Sequence, residues 1–276
     1  MKMLKQLFNF YINSSIHVGL SVFSLTWITL SEYGLLSDKT ILYFVFFASV
    51  SGYNFVKYFG MVKFHHRSLG NWLKAIQIFS FFSFIITCYY AYNLNLNTLI
   101  WIAGFGLMTF FYAIPLFPKQ QIFDTNSLRN VEGLKVYLIA FVWMGVTVIL
   151  PIINNDHLLS IDVIFTSAQR FIFVVVLMFP FEIRDLRYDS LKLATIPQKI
   201  GLKHTKILGI LLMVLFFLIE FFKDEIDINK LVALTLITIL TGLFLIGSKK
   251  DQGKYYCSFW VEGLPIFWLL MLLVLS

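Results

Sequence analysis

Apolar residues in this chain come in long blocks, with polar residues in the short gaps between them. Nine blocks approach the twenty or so residues that cross a bilayer as a helix. They are Ser14–Leu30, Ile41–Gly60, Lys74–Tyr92, Thr98–Phe117, Val136–Ile153, Val163–Glu182, Thr205–Phe222, Lys230–Gly247 and Tyr255–Leu275. The pattern predicts an all-α polytopic membrane protein, a bundle of nine transmembrane helices in a single domain over residues 1–276.

Composition agrees: 59% of the residues are hydrophobic, only 13% are charged, and the mean hydropathy is +0.80. Soluble domains carry about a quarter charged residues. Lys and Arg are unevenly placed. With nine spans, 18 of the 22 cations fall on the side of the N-terminus, three (Lys39, Lys223, Lys230) on the other, and Arg170 within a span. The positive-inside rule then puts the N-terminus in the cytoplasm, in a cytoplasmic membrane. This bias explains the net charge of +7 without a nucleic-acid partner. Lys2 and Lys5 precede Phe, Tyr and Asn instead of a compact apolar run with a cleavage site, so no cleavable signal peptide is expected. Cys88 and Cys257 lie far apart in apolar surroundings, which suggests neither a disulfide framework nor a zinc site.

One stretch breaks the apolar pattern: Phe181 to Gly201, after the sixth span. Glu182, Asp185 and Asp189 stand at i, i+3 and i+7, which share one helical face. Carboxylates that close repel one another unless a cation lies between them. Hard oxygen ligands in this layout suit Mg²⁺, which commonly bridges to substrate phosphates. A solvated loop that serves only as a topology signal is the plainer reading of the same residues. Within the spans, His17, Arg170 and Glu262 should face the bundle interior, because ionisable groups there are costly to expose to lipid. Arg170, midway along its span, needs a partner: a stacking tryptophan, or a buried acid such as Glu262.

The run Glu182-Ile183-Arg184-Asp185-Leu186-Arg187-Tyr188-Asp189, followed by Thr195-Ile196-Pro197 and Gly201, resembles the second Asp-rich motif of the UbiA family of intramembrane prenyltransferases. Glu182 stands where that motif starts with Asp, and the gap before Thr195 is about one residue shorter. The first Asp-rich motif of the family falls at the end of the second span. There Asn54 fits the family's Asn, but Tyr58 and Val62 occupy the two acidic positions, and the neighbourhood is basic: Lys57, Lys63, His65, His66 and Arg67. Tyr112 with Pro115, and Lys135 at the start of the fifth span, resemble further family positions.

The resemblance implies a prenyl diphosphate as donor, a lipophilic acceptor and Mg²⁺ as cofactor. It implies that Glu182, Asp185 and Asp189 hold the metal and that Asp185, Asp189 and Arg184 serve catalysis. Asn54, Lys57, Lys135, Tyr112 and Arg170 would contact substrate. Cations can also neutralise a diphosphate directly. Two other readings stay open. A non-catalytic member would bind a prenyl lipid or quinone, or chaperone another membrane enzyme, as the lost first motif suggests. A small-molecule transporter could also have nine spans, although no Gly/Pro-interrupted pair of spans recurs in corresponding halves.

Overall fold

The computed structural model describes residues 2–64, 70–113, 133–187 and 194–275. Every regular element among them is helical. In chain order these are α1 (Lys2–Asn13), α2 (Ile16–Glu32), α3 (Lys39–Phe64), α4 (Asn71–Tyr92), α5 (Leu96–Ala113), α6 (Leu134–Met144), α7 (Leu150–Asn154), α8 (Ile161–Asp185), α9 (Ile196–Ile219), α10 (Ile228–Gly247) and α11 (Leu264–Leu275). A π-helical turn, Gly145–Ile149, joins α6 to α7, and another, Tyr256–Val261, leads toward α11.

Each of the nine expected spans coincides with a helix, but the count that length and apolarity support among the described residues is seven. It becomes eight when α1 and α2, bent by 54° at Ser14–Ser15, are taken as one broken span. Ser15 sits at φ 61, the left-handed conformation that allows the bend. Helix α3, 26 residues long, is the span that falls outside this set. Helix α1 belongs to the stretch before the first expected span; it leaves Met3, Leu4 and Leu7 exposed, as a helix lying along an interface would.

The core lies around α2 and α8. In α8, 61% of the span is buried, against 11% in α4 and 17% in α5, whose Phe, Ile and Tyr side chains face outward. Helix α8 packs on α6, α9 and α10, and α2 packs on α3, α11 and the 145–149 turn. The apolar contact is continuous, from Val22 and Leu25 through Phe173 and Phe179 to Phe216 and Leu264. Side-chain contacts of this kind, not a water-driven effect between helices, hold membrane bundles together.

Two local features position α8 and the start of α9. Ser160 caps α8 by accepting from Val163 N–H, with Asp162 in the first turn and Arg184 in the last, matching the helix dipole at both ends. The Thr-Ile-Pro run then starts α9. Thr195 is its N-cap, Gln198 Oε1 accepts from the Thr195 N–H at 3.0 Å, and Pro197 occupies the first turn, where a missing N–H is harmless. Gly201, at φ 79, kinks α9 just beyond this turn, a conformation that disfavours any side chain. Farther along, Gly209 lets α9 meet its neighbours: a Cβ there would come within 2.2 Å of Leu245 and 3.0 Å of Phe179.

Candidate functional site

Polar side chains gather at the end of the bundle where α8 stops. Helix α8 contributes Glu182, buried to 2% exposure, with Arg184 and Asp185 one turn on. Arg184 grips Asp185 with two nitrogens: Nε donates to Oδ1 at 2.9 Å and Nη2 lies 2.8 Å from the same oxygen. Lys135, at the start of α6, approaches the other carboxylate oxygen at 3.6 Å. The Arg184 guanidinium also lies 5.3 Å from the Phe181 ring centroid. Asp185 is thus held between two cations.

The second wall comes from the end of α3 and the α1–α2 break. Asn54 is buried, and its Nδ2 donates to Ser14 O at 3.0 Å. One turn on, Lys57 Nζ donates to Ser15 Oγ at 2.9 Å, and Tyr58 OH donates to Asn13 O at 2.8 Å. Among the described residues, Asn54 Oδ1 and Ser14 Oγ are buried without a hydrogen-bond partner. Tyr53, preceding Asn54, accepts from Trp143 Nε1 at 2.6 Å, and Tyr112 of α5 is a buried neighbour.

The third wall is the turn 256–261 and the residue after it. Glu262 stands there, within electrostatic reach of Lys57 and Arg184. His17 fixes this wall to α2: its Nε2 meets Phe259 O at 2.8 Å, its Nδ1 meets Tyr11 OH at 2.7 Å, and its ring stacks on Phe259. Ser21 donates to the backbone carbonyl of Glu262.

The structure therefore brings Asn54, Lys57, Tyr112, Lys135, Glu182, Arg184 and Asp185 toward one end. Asp189, His65, His66, Arg67 and Pro115 lie outside the described residues, as do the side chains of Val62 and Lys63. Arg170 is not part of this group. It lies 15 residues earlier on α8, about 22 Å along the axis. Its Nη1 donates to Leu25 O at 2.7 Å and to Thr147 Oγ1 at 3.3 Å, its Nη2 to Thr29 Oγ1, and its guanidinium lies over Trp268 at 5.4 Å. Nor is Glu262 its partner: that carboxylate belongs to the opposite end of the bundle, with Lys57 and Arg184.

The donor set for a metal can be judged from the same geometry. The described groups are hard oxygens: the carboxylates of Glu182 and Asp185 and the orphan Asn54 Oδ1. Among the described residues, however, no three His, Cys, Asp or Glu side chains cluster closely enough to hold an ion. Asp185 already has its charge answered by Arg184 and Lys135. The described residues do not make a metal site by themselves.

Compared with solved structures, the chain matches a digeranylgeranylglyceryl phosphate synthase in membranes at a TM-score of 0.58 and 15% identity. The match covers 99% of this chain and 98% of the other. At this identity the likeness is one of fold: the chain is folded like that membrane synthase over nearly its whole length. No protein-family model and no curated protein matches the chain.

Of the expected acidic face, Glu182 and Asp185 lie on α8, while Asp189 lies outside the described residues. Sequence reasoning did not see Ser14 and Ser15 as partners of α3, nor Glu262 as a neighbour of Lys57. Depth carried a signal for Glu262. By the positive-inside count, the last span starts on the cytoplasmic side at Tyr255, which sets Glu262 near the end that carries Asn54.

Proposed function

We propose that the chain is a UbiA-type prenyltransferase that moves an isoprenoid group from a prenyl diphosphate to a lipophilic acceptor. One observation carries the reading: in a bundle with that fold, Lys57, Lys135 and Arg184 converge with Glu182 and Asp185 at the end of an apolar interior. Transfer requires the allylic C–O bond to break and negative charge to leave with the diphosphate. Preorganised cations at that point stabilise the departing charge. Lys57 donates one N–H to Ser15 and, with three donors on its ammonium, has two left for phosphate oxygens. Arg184, pre-oriented by Asp185, offers the rest of its planar fork. Apolar and aromatic walls, among them Tyr53 and Trp143, would keep water from the allylic cation.

The family resemblance adds Mg²⁺ held by Glu182, Asp185 and Asp189, whose chemistry would be to neutralise diphosphate oxygens. The reading also places the site on the cytoplasmic face of a cytoplasmic membrane. Labelling of cysteines at Lys250 and Glu225 from opposite sides tests that orientation.

The non-catalytic alternative has one observation in its favour. Tyr58, in the position of a family acid, is spent on closing the α1–α2 break through Asn13. One experiment separates the two. Membranes containing the protein are incubated with labelled prenyl diphosphates, with and without a chelator, and extracted for prenylated lipid. Product formation supports the enzyme, and its loss with chelator supports the metal. Saturable binding without product supports the lipid-binding reading.

A further inference from the structure

Glu262 is a half-buried carboxylate in a membrane-spanning segment. Such an acid ordinarily has a direct partner, because an isolated charge there is costly. Among the described residues, the Glu262 side chain makes no hydrogen bond and no ion pair. Its surroundings are nevertheless charged and polar on every side. Lys57 and Tyr53 face it from α3, Arg184 from α8, Tyr11 from α1, and Cys257 from its own turn. His17 of α2 packs against the adjoining Gly263, with its two ring nitrogens engaged by Tyr11 and Phe259. The backbone is fixed as well: Ser21 bonds its carbonyl, and the residue closes the π-helical turn 256–261. The carboxylate is thus within electrostatic reach of two cations and bonded to neither among the described residues. Asn54 Oδ1 and Ser14 Oγ, both buried and unpartnered among the described residues, belong to the wall that carries Lys57.

We infer that Glu262 is the proton acceptor for the second substrate, which must then be a nucleophile that loses a proton on prenylation, such as a hydroxyl or an activated aromatic C–H. The inference rests on the prenyl-transfer reading above. The allylic C–O bond breaks, and its electron pair leaves on the diphosphate oxygen. An electron pair of the acceptor forms the new bond to the allylic carbon. The acceptor's proton passes to a Glu262 carboxylate oxygen and then to water at the open end of the bundle. Lys57 and Arg184 stand beside the carboxylate in this arrangement, and in the transfer reading they hold the diphosphate.

The test uses the full chain in lipid nanodiscs. Steady-state prenyl transfer is measured across pH for the wild type, Glu262→Gln and Glu262→Asp, with prenyl diphosphate binding measured separately. Glu262→Gln should lower kcat by about 100-fold or more, the usual range for a lost general base. It should also remove the acidic limb of the pH profile and should not weaken prenyl diphosphate binding, since the lost group is a negative charge beside the cations that hold that ligand. Glu262→Asp, which keeps the charge but withdraws it, should lower kcat and retain the limb. Should Glu262→Gln fail to fold, the Asp variant decides: full kcat in it overturns the assignment. Equal turnover in Glu262→Gln and the wild type also overturns it while leaving prenyl transfer intact. A wild type that makes no product refutes the transfer reading, and this assignment with it.

Discussion

Helix α8 carries a charged cluster at each end, and the two are built differently. At the Arg170 end almost every polar group is answered by another. Lys223 lies 2.6 Å from Glu32 and 2.9 Å from Glu220. Gln169 donates to Glu220 at 2.9 Å, and Thr166 donates to Glu32 at 3.0 Å. Tyr33 bonds Thr166, whose single hydroxyl proton is already given to Glu32, so Tyr33 is the donor there. At the Asp185 end, by contrast, Glu262 has no direct partner among the described residues, Asn54 Oδ1 and Ser14 Oγ are orphans among them, and Lys57 has donors to spare. The first end ties α2, α8 and α9 together around a small cavity lined by Glu32, Arg170, Glu220 and Lys223, and the second keeps donors and acceptors unspent, which is why the proposed transfer reading puts the ligand there.

The largest effect should come from opening the closed end. Lys223→Met leaves the half-buried Glu32 and the buried Glu220 without the cation they share. Removing one partner of a buried ion pair costs about 3–5 kcal/mol, visible as a fall in thermal midpoint in detergent, while turnover per folded molecule stays near wild type. A loss of turnover with unchanged stability would assign this end to the site. At the open end the order reverses. Lys57→Ala should weaken prenyl diphosphate binding by about 1.5–3 kcal/mol, the size of a lost charge-assisted hydrogen bond, and should change the thermal midpoint little, because Ser15 is its sole hydrogen-bond partner among the described residues. Isothermal titration with the diphosphate reads this directly.

How far each end was legible in the sequence depends on the range of its contacts. The helices were readable because blocks of bilayer length need no partner to be recognised. The acidic face of α8 was readable because i, i+3 spacing is local. Pairing across the bundle stayed hidden. Ser15 and Lys57 are 42 residues apart, and Lys223 and Glu32 are 191 apart. For Arg170 the sequence left two partners open, a stacking tryptophan or an acid such as Glu262; the guanidinium lies over Trp268, and Glu262 is at the opposite end with Lys57 and Arg184. The π-helical turns at 145–149 and 256–261 follow no apolar period, and α1 was hidden by the mixed character of its residues.

Alkaline pH sharpens the contrast at a smaller scale. Burial, then the nearby charge of Glu32, raises the Tyr33 phenol above its ordinary value of 10.0. Burial alone would lower the Lys223 ammonium, but Glu32 and Glu220 outweigh it and hold the group above 10.5. Both groups keep their protons longer in the folded chain than in the unfolded one. Their contribution is therefore complete below about pH 10 and is lost as pH rises through the folded values. One proton corresponds to at most about 1.4 kcal/mol per pH unit, and solvent at the half-buried phenol reduces it. The thermal midpoint should fall above pH 10, and Tyr33→Phe should flatten part of that fall. An unchanged slope in Tyr33→Phe would leave Lys223 as the group responsible.

The smallest effect is expected at a third charged contact, which belongs to neither network. Arg187 Nη1 lies 3.0 Å from Asp251 just beyond α8, with the Asp251 side chain 83% exposed and that of Arg187 42% exposed. Water screens such a pair, and ordering two long side chains offsets most of the remaining attraction, so exposed ion pairs contribute about 0–1 kcal/mol. Asp251→Asn should accordingly leave both the thermal midpoint and prenyl diphosphate affinity almost where they were. A fall in affinity of tenfold or more would mean that the segment after α8 is held in place by this contact for the ligand's sake. The open end of the bundle would then extend past Asp185 to the surface, and its boundary with the exposed loops would have to be redrawn.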